Sequence, residues 1–360
     1  MTFTKELAQL PDGNHICYMD SGPMKDSGTY TAVIMLHGSG FNSYVFMPLH
    51  EFAAQYRLRL FVVQRKGYAG SSAYSDDELE GLRAGDSAFL DQSAILLGHL
   101  IAYLITKHDL PEPNAECTEG GVILLAWSMG NAAAIPLFSD AGLFGQELYE
   151  LLRRYLRKFV LYDSPYSAFA FHAPEEKSVP YSMSAEALEE YTGNLKAFAG
   201  SYYDQPAAWN GDPAELVSQP SPQPATTDSW SSEFWEEVFE AQVTLKYEWP
   251  MILGPIQALL RERTERAFFD EACVKATFPN VPFVHIACWK SSLHDIWGYH
   301  CMKTLYEERR SEGRFVRPLS FLVVMDVNHF WHWESPHEFL LALTIAVNGD
   351  QSIHIQTLCN

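Results

Sequence analysis

The chain has 360 residues, 47% of them hydrophobic, which is enough to bury one large core or a core with a smaller subdomain. Its formal net charge is −20 at pH 7, and no stretch of the sequence forms a basic stripe. The charge therefore argues against nucleic acid as a partner, because binding to phosphates needs clustered lysine and arginine.

Signals for export, membrane insertion and metal binding are missing from the sequence. Residues 1–6 lack a basic stretch followed by an apolar one, and no apolar run approaches the roughly 20 residues that span a bilayer. We therefore expect a soluble, cytoplasmic protein with no membrane partner. The six cysteines, at positions 17, 117, 273, 288, 301 and 359, lack paired metal-site spacing, which predicts free thiols. We expect no metal and no cofactor.

The first third of the chain alternates strand and helix patterns. Residues 5–12 and 14–21 flank a Pro-Asp-Gly turn and predict a strand hairpin. Residues 32–36 and 58–64 are continuous apolar runs, as expected of strands buried on both faces. Residues 85–107 carry apolar side chains at helical spacing.

The first of the buried strands ends in His37-Gly38-Ser39-Gly40. Glycines at a strand end allow backbone amides to turn toward a site, so this loop is a candidate source of an oxyanion donor. A plain strand-ending turn is the alternative.

Ser128 lies at the centre of a strand–turn–helix pattern. The apolar run at 122–125 passes through Ala126-Trp-Ser-Met-Gly130 into an alanine-rich stretch. This pattern is typical of a nucleophile elbow, where a strained corner points the serine hydroxyl away from the sheet. The positions two residues before and after the serine must be small. Ala126 departs from the usual glycine by one methyl group, and Gly130 fits.

The second half of the chain predicts an inserted helical cap between sheet strands. A strand at 158–162 ends at Asp163, whereas residues 168–278 lack long β-branched runs and contain aromatic-rich helical segments. Ordinary crossover helices are the alternative, but they are typically far shorter. Strand patterns resume at 281–288 and 319–325. The alternation predicts a mostly parallel α/β sheet flanked by helices, with a core at 1–167 and 279–360 and a cap at 168–278.

These motifs together resemble the α/β-hydrolase superfamily. They comprise the His37-Gly38 loop, the Arg65-Lys-Gly-Tyr-Ala-Gly-Ser-Ser72 segment, the serine elbow, the inserted cap and the late Asn328-His-Phe330. The resemblance covers most of the chain outside 168–278 and implies an eight-stranded sheet. The aromatic cap is similar to that of fungal α/β-hydrolases of secondary metabolism.

The resemblance implies a catalytic triad with Ser128 as the nucleophile and His329, which follows the last strand, as the base. Two positions remain open for the triad acid. Asp163, directly at a strand end, is preferred, and Asp295 is the alternative, although it lies further along its loop than the family pattern places an acid. The backbone amides of Ser39 and Met129 would form the oxyanion hole.

The function predicted from this resemblance is hydrolysis of a carboxylic ester or lactone of a hydrophobic small molecule through an acyl-enzyme. A lactone-forming cyclase or acyltransferase would use the same acyl-enzyme with a hydroxyl acceptor. A non-catalytic binding protein on the same fold is a third hypothesis. Aromatic residues expected to line an acyl pocket are Tyr44, Phe46, Trp127, Tyr202, Tyr203 and Trp235.

Overall fold

The computed structural model describes residues 4–24, 28–174 and 184–348. Its centre is an eight-stranded sheet in the order β1-β2-β4-β3-β5-β6-β7-β8. The strands are β1 (Thr4–Gln9), β2 (His15–Asp20), β3 (Thr31–Leu36), β4 (Leu58–Val63), β5 (Val122–Trp127), β6 (Leu156–Tyr162), β7 (Phe283–Cys288) and β8 (Leu319–Val324). β1 with β2 and β2 with β4 pair antiparallel, and the remaining pairs are parallel. The predicted mostly parallel eight-stranded sheet is confirmed.

The central strands are apolar throughout because both of their faces are covered. In β5, Leu124 and Ala126 pack in one core cluster, while Leu125 and Trp127 pack in a second cluster on the opposite face. Side chains alternate between the two faces of a strand. A continuous apolar run is therefore what a strand between two helical layers requires.

Helices surround the sheet and fill the connections. They are α1 (His50–Ala53), α2 (Asp76–Ala84), α3 (Ser87–His108), α4 (Gly130–Ala134), α5 (Gln146–Tyr155), α6 (Ala185–Gly200), α7 (Ser232–Val238), α8 (Ala241–Val243), α9 (Trp249–Leu253), α10 (Ile256–Phe268), α11 (Glu271–Ala276), α12 (Leu293–Ser311), α13 (Trp331–Glu334) and α14 (Pro336–Asn348). A π-helical turn, Thr244–Glu248, joins α8 to α9.

Helix α3 corresponds to the helix predicted at 85–107. It begins directly after Asp86, whose side chain accepts a hydrogen bond from the amide of Ala88. The sequence prediction did not identify α2, whose start is fixed by a capping box between Ser75 and Glu78. Among the described residues, α3 is also a helix that could cross a membrane by length and composition alone. Its most apolar window has a mean hydropathy of 1.6, and half of that window is buried.

The chain between β6 and β7, residues 163–282, is here called the β6–β7 segment. The cap predicted at 168–278 falls within it, and its described part contains α6 to α11 and no strand of the sheet. Residues 175–183 of the predicted cap and residues 349–360 of the predicted core lie outside the described residues. So does Cys359, while the five other cysteines are free.

Candidate active site

Ser128 lies at a strained corner between β5 and α4. Its φ of 54° is in the left-handed region, which few residues other than glycine adopt. The amide of Ser128 donates to the carbonyl of Tyr162 over 2.9 Å. The side-chain amide of Asn131 donates to the carbonyls of Ala126 and Ser128, at 2.9 and 2.8 Å. These bonds hold the backbone in the conformation of a nucleophile elbow.

Close packing around this corner explains two glycines. A Cβ on Gly130 would lie 2.6 Å from the carbonyl oxygen of His37, and a Cβ on Gly38 would lie 2.7 Å from the Cβ of Ser128. The loop after β3 therefore passes directly against Ser128. Ala126, the departure from the usual pattern, is fully buried and packs in a core cluster.

His329 is hydrogen-bonded to Asp163 at the carboxyl edge of the sheet. Its Nδ1 lies 2.6 Å from Asp163 Oδ2, and both side chains are buried. The same carboxylate accepts from the amide of Cys288 at 2.8 Å and from the hydroxyl of Ser291 at 2.5 Å. The end of β7, the loop after it and the loop after β8 each supply one of these three partners, which fix the carboxylate and with it the orientation of the imidazole.

The residue next to Ser128 places the His329 ring beside the elbow. Trp127 Nε1 donates to the carbonyl of His329 over 3.1 Å, and the centroids of the two rings lie 4.7 Å apart. Ser128 and His329 both line the same cavity. Asn328 anchors the preceding turn through bonds to the carbonyl of Gly200 and the hydroxyl of Thr226.

Asp295 also lies beside the imidazole, although it is seven residues past the end of β7. Helix α12 begins directly after Ser292, so its first turn carries Asp295 back to the sheet edge. Asp295 Oδ1 is 3.9 Å from His329 Nδ1, and its Oδ2 accepts from the hydroxyl of Ser292 at 2.7 Å. Asp163 is therefore the direct hydrogen-bond partner of His329, and Asp295 is a second, more distant carboxyl group.

Burial and charge shift the ionisation of this cluster in opposite directions. Burial raises the pKa of Asp295 to about 7, against the attraction of His329. Burial disfavours protonated His329, but the charge of Asp295 and the hydrogen bond to Asp163 outweigh it and raise the pKa of His329 above its usual value. Because the groups are this close, they titrate as one coupled system.

Asp163, Asp295 and His329 also have ligand atoms within 4.8 Å of one another, which is close enough to hold a metal ion. Two of the three are already paired, because His329 Nδ1 is hydrogen-bonded to Asp163 Oδ2. Asp295 accepts a hydrogen bond from Ser292.

Ser39 and Met129, whose amides the sequence proposes as oxyanion donors, both line the cavity with Ser128. The hydroxyl of Ser39 donates to Glu248 over 2.7 Å, and Glu248 belongs to the π-helical turn of the β6–β7 segment. Glu248 belongs to no motif that the sequence shows. Its partners Arg65 and Tyr68 do lie in a motif that was recognised.

The cavity has a volume of about 510 Å³ and is walled by the sheet edge and the β6–β7 segment. Its apolar lining includes Phe41, Trp127, Leu195, Phe198, Trp249 and Leu253. Its polar lining includes Ser39, Ser128, Asn194, Gln219, Thr244, Ser292, His294, Asp295 and His329. Of the aromatic residues expected in an acyl pocket, Trp127 lines the cavity. The other five are not part of its lining: Tyr44, Phe46, Tyr202, Tyr203 and Trp235.

Two of the aromatic residues that do not line the cavity, Trp235 and Tyr202, have partners elsewhere in the protein. Trp235 packs at a tilt against Phe41 and Trp230, with ring centroids 6.0 and 5.0 Å away. The hydroxyl of Tyr202 is hydrogen-bonded to Glu334. Helices α6 and α9 supply apolar wall residues instead, and no motif in the sequence distinguishes these residues from core residues.

Comparison with known proteins agrees with this fold. A model of the alpha/beta hydrolase family matches residues 33–342, and the chain belongs to that family. Among curated proteins, no significant sequence match is found.

Two similar solved structures show the same fold. An epoxide hydrolase from Vigna radiata is 14% identical, with a TM-score of 0.55 over 95% of this chain and 96% of that one. A putative aryl esterase from Burkholderia cenocepacia is 12% identical, with a TM-score of 0.50 over 97% of this chain and 100% of that one. Membership of the family supports a hydrolase enzyme.

Proposed function

We propose that the protein is a serine hydrolase that cleaves a carboxylic ester or lactone of a hydrophobic small molecule through an acyl-enzyme. The observation that carries the proposal is the meeting of two features at one cavity. Ser128 projects from a strained elbow, and the hydrogen-bonded pair of His329 and Asp163 lies beside it. A serine at position 128 also distinguishes this site from α/β-hydrolase sites that use an aspartate nucleophile.

In the proposed mechanism, His329 accepts the proton of the Ser128 hydroxyl as the oxygen attacks the substrate carbonyl. Asp163 holds the imidazole in one tautomer and stabilises the imidazolium that forms. The amides of Ser39 and Met129 stabilise the oxyanion. His329 then protonates the leaving alcohol. In the second half of the reaction it activates a water molecule, which releases the acid and regenerates Ser128.

The composition of the cavity supports an apolar substrate. Aromatic and aliphatic side chains from helices α6 and α9 and from the sheet edge form most of its wall, and polar groups, Ser128 among them, form the rest. Such a site binds the body of a ligand by burial of apolar surface and orients it through a few polar contacts.

The same apolar wall favours a second outcome for the acyl-enzyme. A hydroxyl group of the substrate that occupies the position of the water would give a lactone or a transferred ester. Exclusion of water from the cavity decides between the two fates. Mass spectrometry of the products separates them, because hydrolysis adds the mass of one water molecule and cyclisation does not.

The test of the proposal is active-site labelling with an alkyl fluorophosphonate, read by intact and peptide mass spectrometry. We expect a single adduct on Ser128, lost in Ser128→Ala and strongly slowed in His329→Ala. Ser93→Ala, on α3 and outside the lining of the cavity, is the control and should label like the wild type. Folded wild-type protein that remains unlabelled would contradict an activated serine and would favour the binding-protein hypothesis.

A further inference from the structure

Glu248 connects the β6–β7 segment to the loop that follows β3. Its side chain is 1% exposed. One carboxylate oxygen accepts hydrogen bonds from Arg65 and, at 2.6 Å, from the hydroxyl of Tyr68. The other oxygen accepts from the hydroxyl of Ser39 at 2.7 Å. A single buried carboxylate of the segment thus has three donors from the core.

Each of those donors also touches the loop at residues 38–40. The Arg65 group that binds Glu248 donates to the carbonyl of Gly38 over 2.8 Å. The hydroxyl of Tyr68 accepts from the amide of Gly40 at 3.0 Å. Ser39 is bound directly. Three consecutive residues are therefore fixed through groups that converge on Glu248, and the Ser39 amide lies at their centre.

The electrostatics of the cluster require the Glu248 carboxylate. Burial disfavours the charged form of Arg65, yet the adjacent carboxylate raises the pKa of Arg65 above its usual value. Burial and the same carboxylate raise the pKa of Tyr68 well above its usual value, so the phenol keeps its proton and donates it. Without Glu248, a buried guanidinium would lose its counter-charge beside the oxyanion loop.

Glu248 itself is not part of the cavity lining, whereas Thr244 and Trp249, on either side of it in the π-helical turn and α9, are. We propose that Glu248 is a positioning residue that aligns the Ser39 amide with the oxyanion. This inference rests on the proposed serine hydrolase function. Because the carboxylate comes from the β6–β7 segment and the amide comes from the core, stabilisation of the oxyanion would depend on the position of that segment against the core.

The test compares Glu248→Gln and Glu248→Asp with the wild type on p-nitrophenyl butyrate. Glu248→Gln keeps the shape but removes the charge. We expect kcat to fall about ten- to a hundredfold, somewhat less than the loss of a whole oxyanion donor. KM should change less than about threefold, because the residue does not touch the substrate. Glu248→Asp keeps the charge and should recover part of kcat.

The control is another ion pair between the segment and the core. Arg263 of α10 binds Asp91 of α3 at 2.6 Å, and neither residue contacts the loop at 38–40. Asp91→Asn should lower the midpoint of thermal unfolding while leaving kcat within about twofold of the wild type. A role in stability alone predicts that Glu248→Gln behaves in the same way, with a lower midpoint and an unchanged kcat.

The outcomes separate this inference from the proposed function. If the wild type is labelled at Ser128 and Glu248→Gln retains full kcat, Glu248 does not position the loop. If the wild type neither reacts with the fluorophosphonate nor hydrolyses the ester, the proposed function fails and this inference fails with it. If Glu248→Gln does not fold, Ser39→Ala serves instead. It removes only the direct link to Glu248 and should lower kcat at unchanged KM, and an unchanged kcat would overturn the inference.

Discussion

At the scale of single residues, the main feature is that two carboxyl groups share one imidazole without sharing one role. Asp163 is hydrogen-bonded to His329 Nδ1 and is itself held by the Cys288 amide and the Ser291 hydroxyl. Asp295 lies 3.9 Å from the same nitrogen and binds Ser292. We expect the first to orient the ring and the second to act on it through its charge, which favours the protonated imidazole. Substitution of each by asparagine should therefore give different kinetics.

Asp163→Asn should lower kcat/KM by about 10³- to 10⁴-fold at every pH, since an amide at this position disturbs the tautomer of the imidazole. The measurement is ester hydrolysis from pH 5 to 9. Labelling of Ser128 by a fluorophosphonate should slow in parallel. A large loss in Asp295→Asn with little effect in Asp163→Asn would reverse the assignment of the triad acid.

Asp295→Asn should instead shift the pH profile. His329 must be neutral to act as a base, so activity rises with pH through the pKa of His329, which the neighbouring carboxylates raise. Removing the charge of Asp295 disfavours the imidazolium and lowers that pKa. The acidic limb of kcat/KM should therefore move to lower pH, with little change on the alkaline plateau. An unmoved acidic limb would show that Asp295 is uncharged when His329 titrates.

At the scale of secondary-structure elements, Arg317 joins the end of the β6–β7 segment to the sheet. The side chain is fully buried just before β8. Its guanidinium donates to the carbonyls of Ala267 at 2.7 Å, Phe278 at 2.8 Å and Thr277 at 2.9 Å. Those carbonyls belong to α10 and to the turn after α11. One charged side chain thus binds buried carbonyls at the C-terminal ends of two helices.

Arg317→Met should lower the free energy of unfolding by about 3 kcal/mol, because several buried carbonyls lose their donor at once. Urea unfolding followed by tryptophan fluorescence measures this change. The control is Arg314→Met, because Arg314 is exposed and its nearest carboxylate, on Glu312, lies 3.5 Å away. Its expected effect is below about 0.5 kcal/mol. Equal effects in the two variants would mean that the buried contacts of Arg317 contribute nothing to stability.

The order of the secondary-structure elements determines which site residues could be predicted from the sequence. Ser128, Asp163 and His329 each follow a strongly apolar strand, so parallel pairing alone brings their positions to one edge of the sheet. Asp295 and Glu248 could not be placed in this way. The position of Asp295 depends on α12 beginning directly after Ser292, and that of Glu248 depends on a π-helical turn in a region of weak periodicity. Such positions are set by tertiary packing, which local pattern does not report.

At the scale of the whole molecule, buried histidines make stability depend on pH. Burial lowers the pKa of His285 to about 3 and that of His294 to about 4, and it lowers the pKa of His37 and His332 well below their usual values. The folded protein keeps these rings neutral, while the unfolded chain binds protons below about pH 6.5. Stability is therefore unaffected by them above that pH and falls as the pH drops, by up to about 1.4 kcal/mol per unit for each histidine.

His285 is the clearest case, because within the described part of the chain neither of its ring nitrogens has a hydrogen-bond partner. It packs against Phe169 and Tyr299, with ring centroids 5.4 and 5.2 Å away. His285→Phe keeps an aromatic ring there and removes the titrating group. The free energy of unfolding of the variant minus that of the wild type should be about 2 kcal/mol larger at pH 5 than at pH 7.5. Urea unfolding at the two pH values measures the difference.

Tyr299→Phe is the matched control for this substitution. It alters the same aromatic cluster but removes no group that titrates in this range, since burial raises the pKa of Tyr299 above its usual value. Its effect on the free energy of unfolding should therefore be equal at pH 7.5 and pH 5. If His285→Phe also shows equal effects at the two pH values, His285 binds its proton within the folded protein. The acid sensitivity would then come from the other buried histidines, opposed by His329, whose raised pKa favours the folded state as the pH falls.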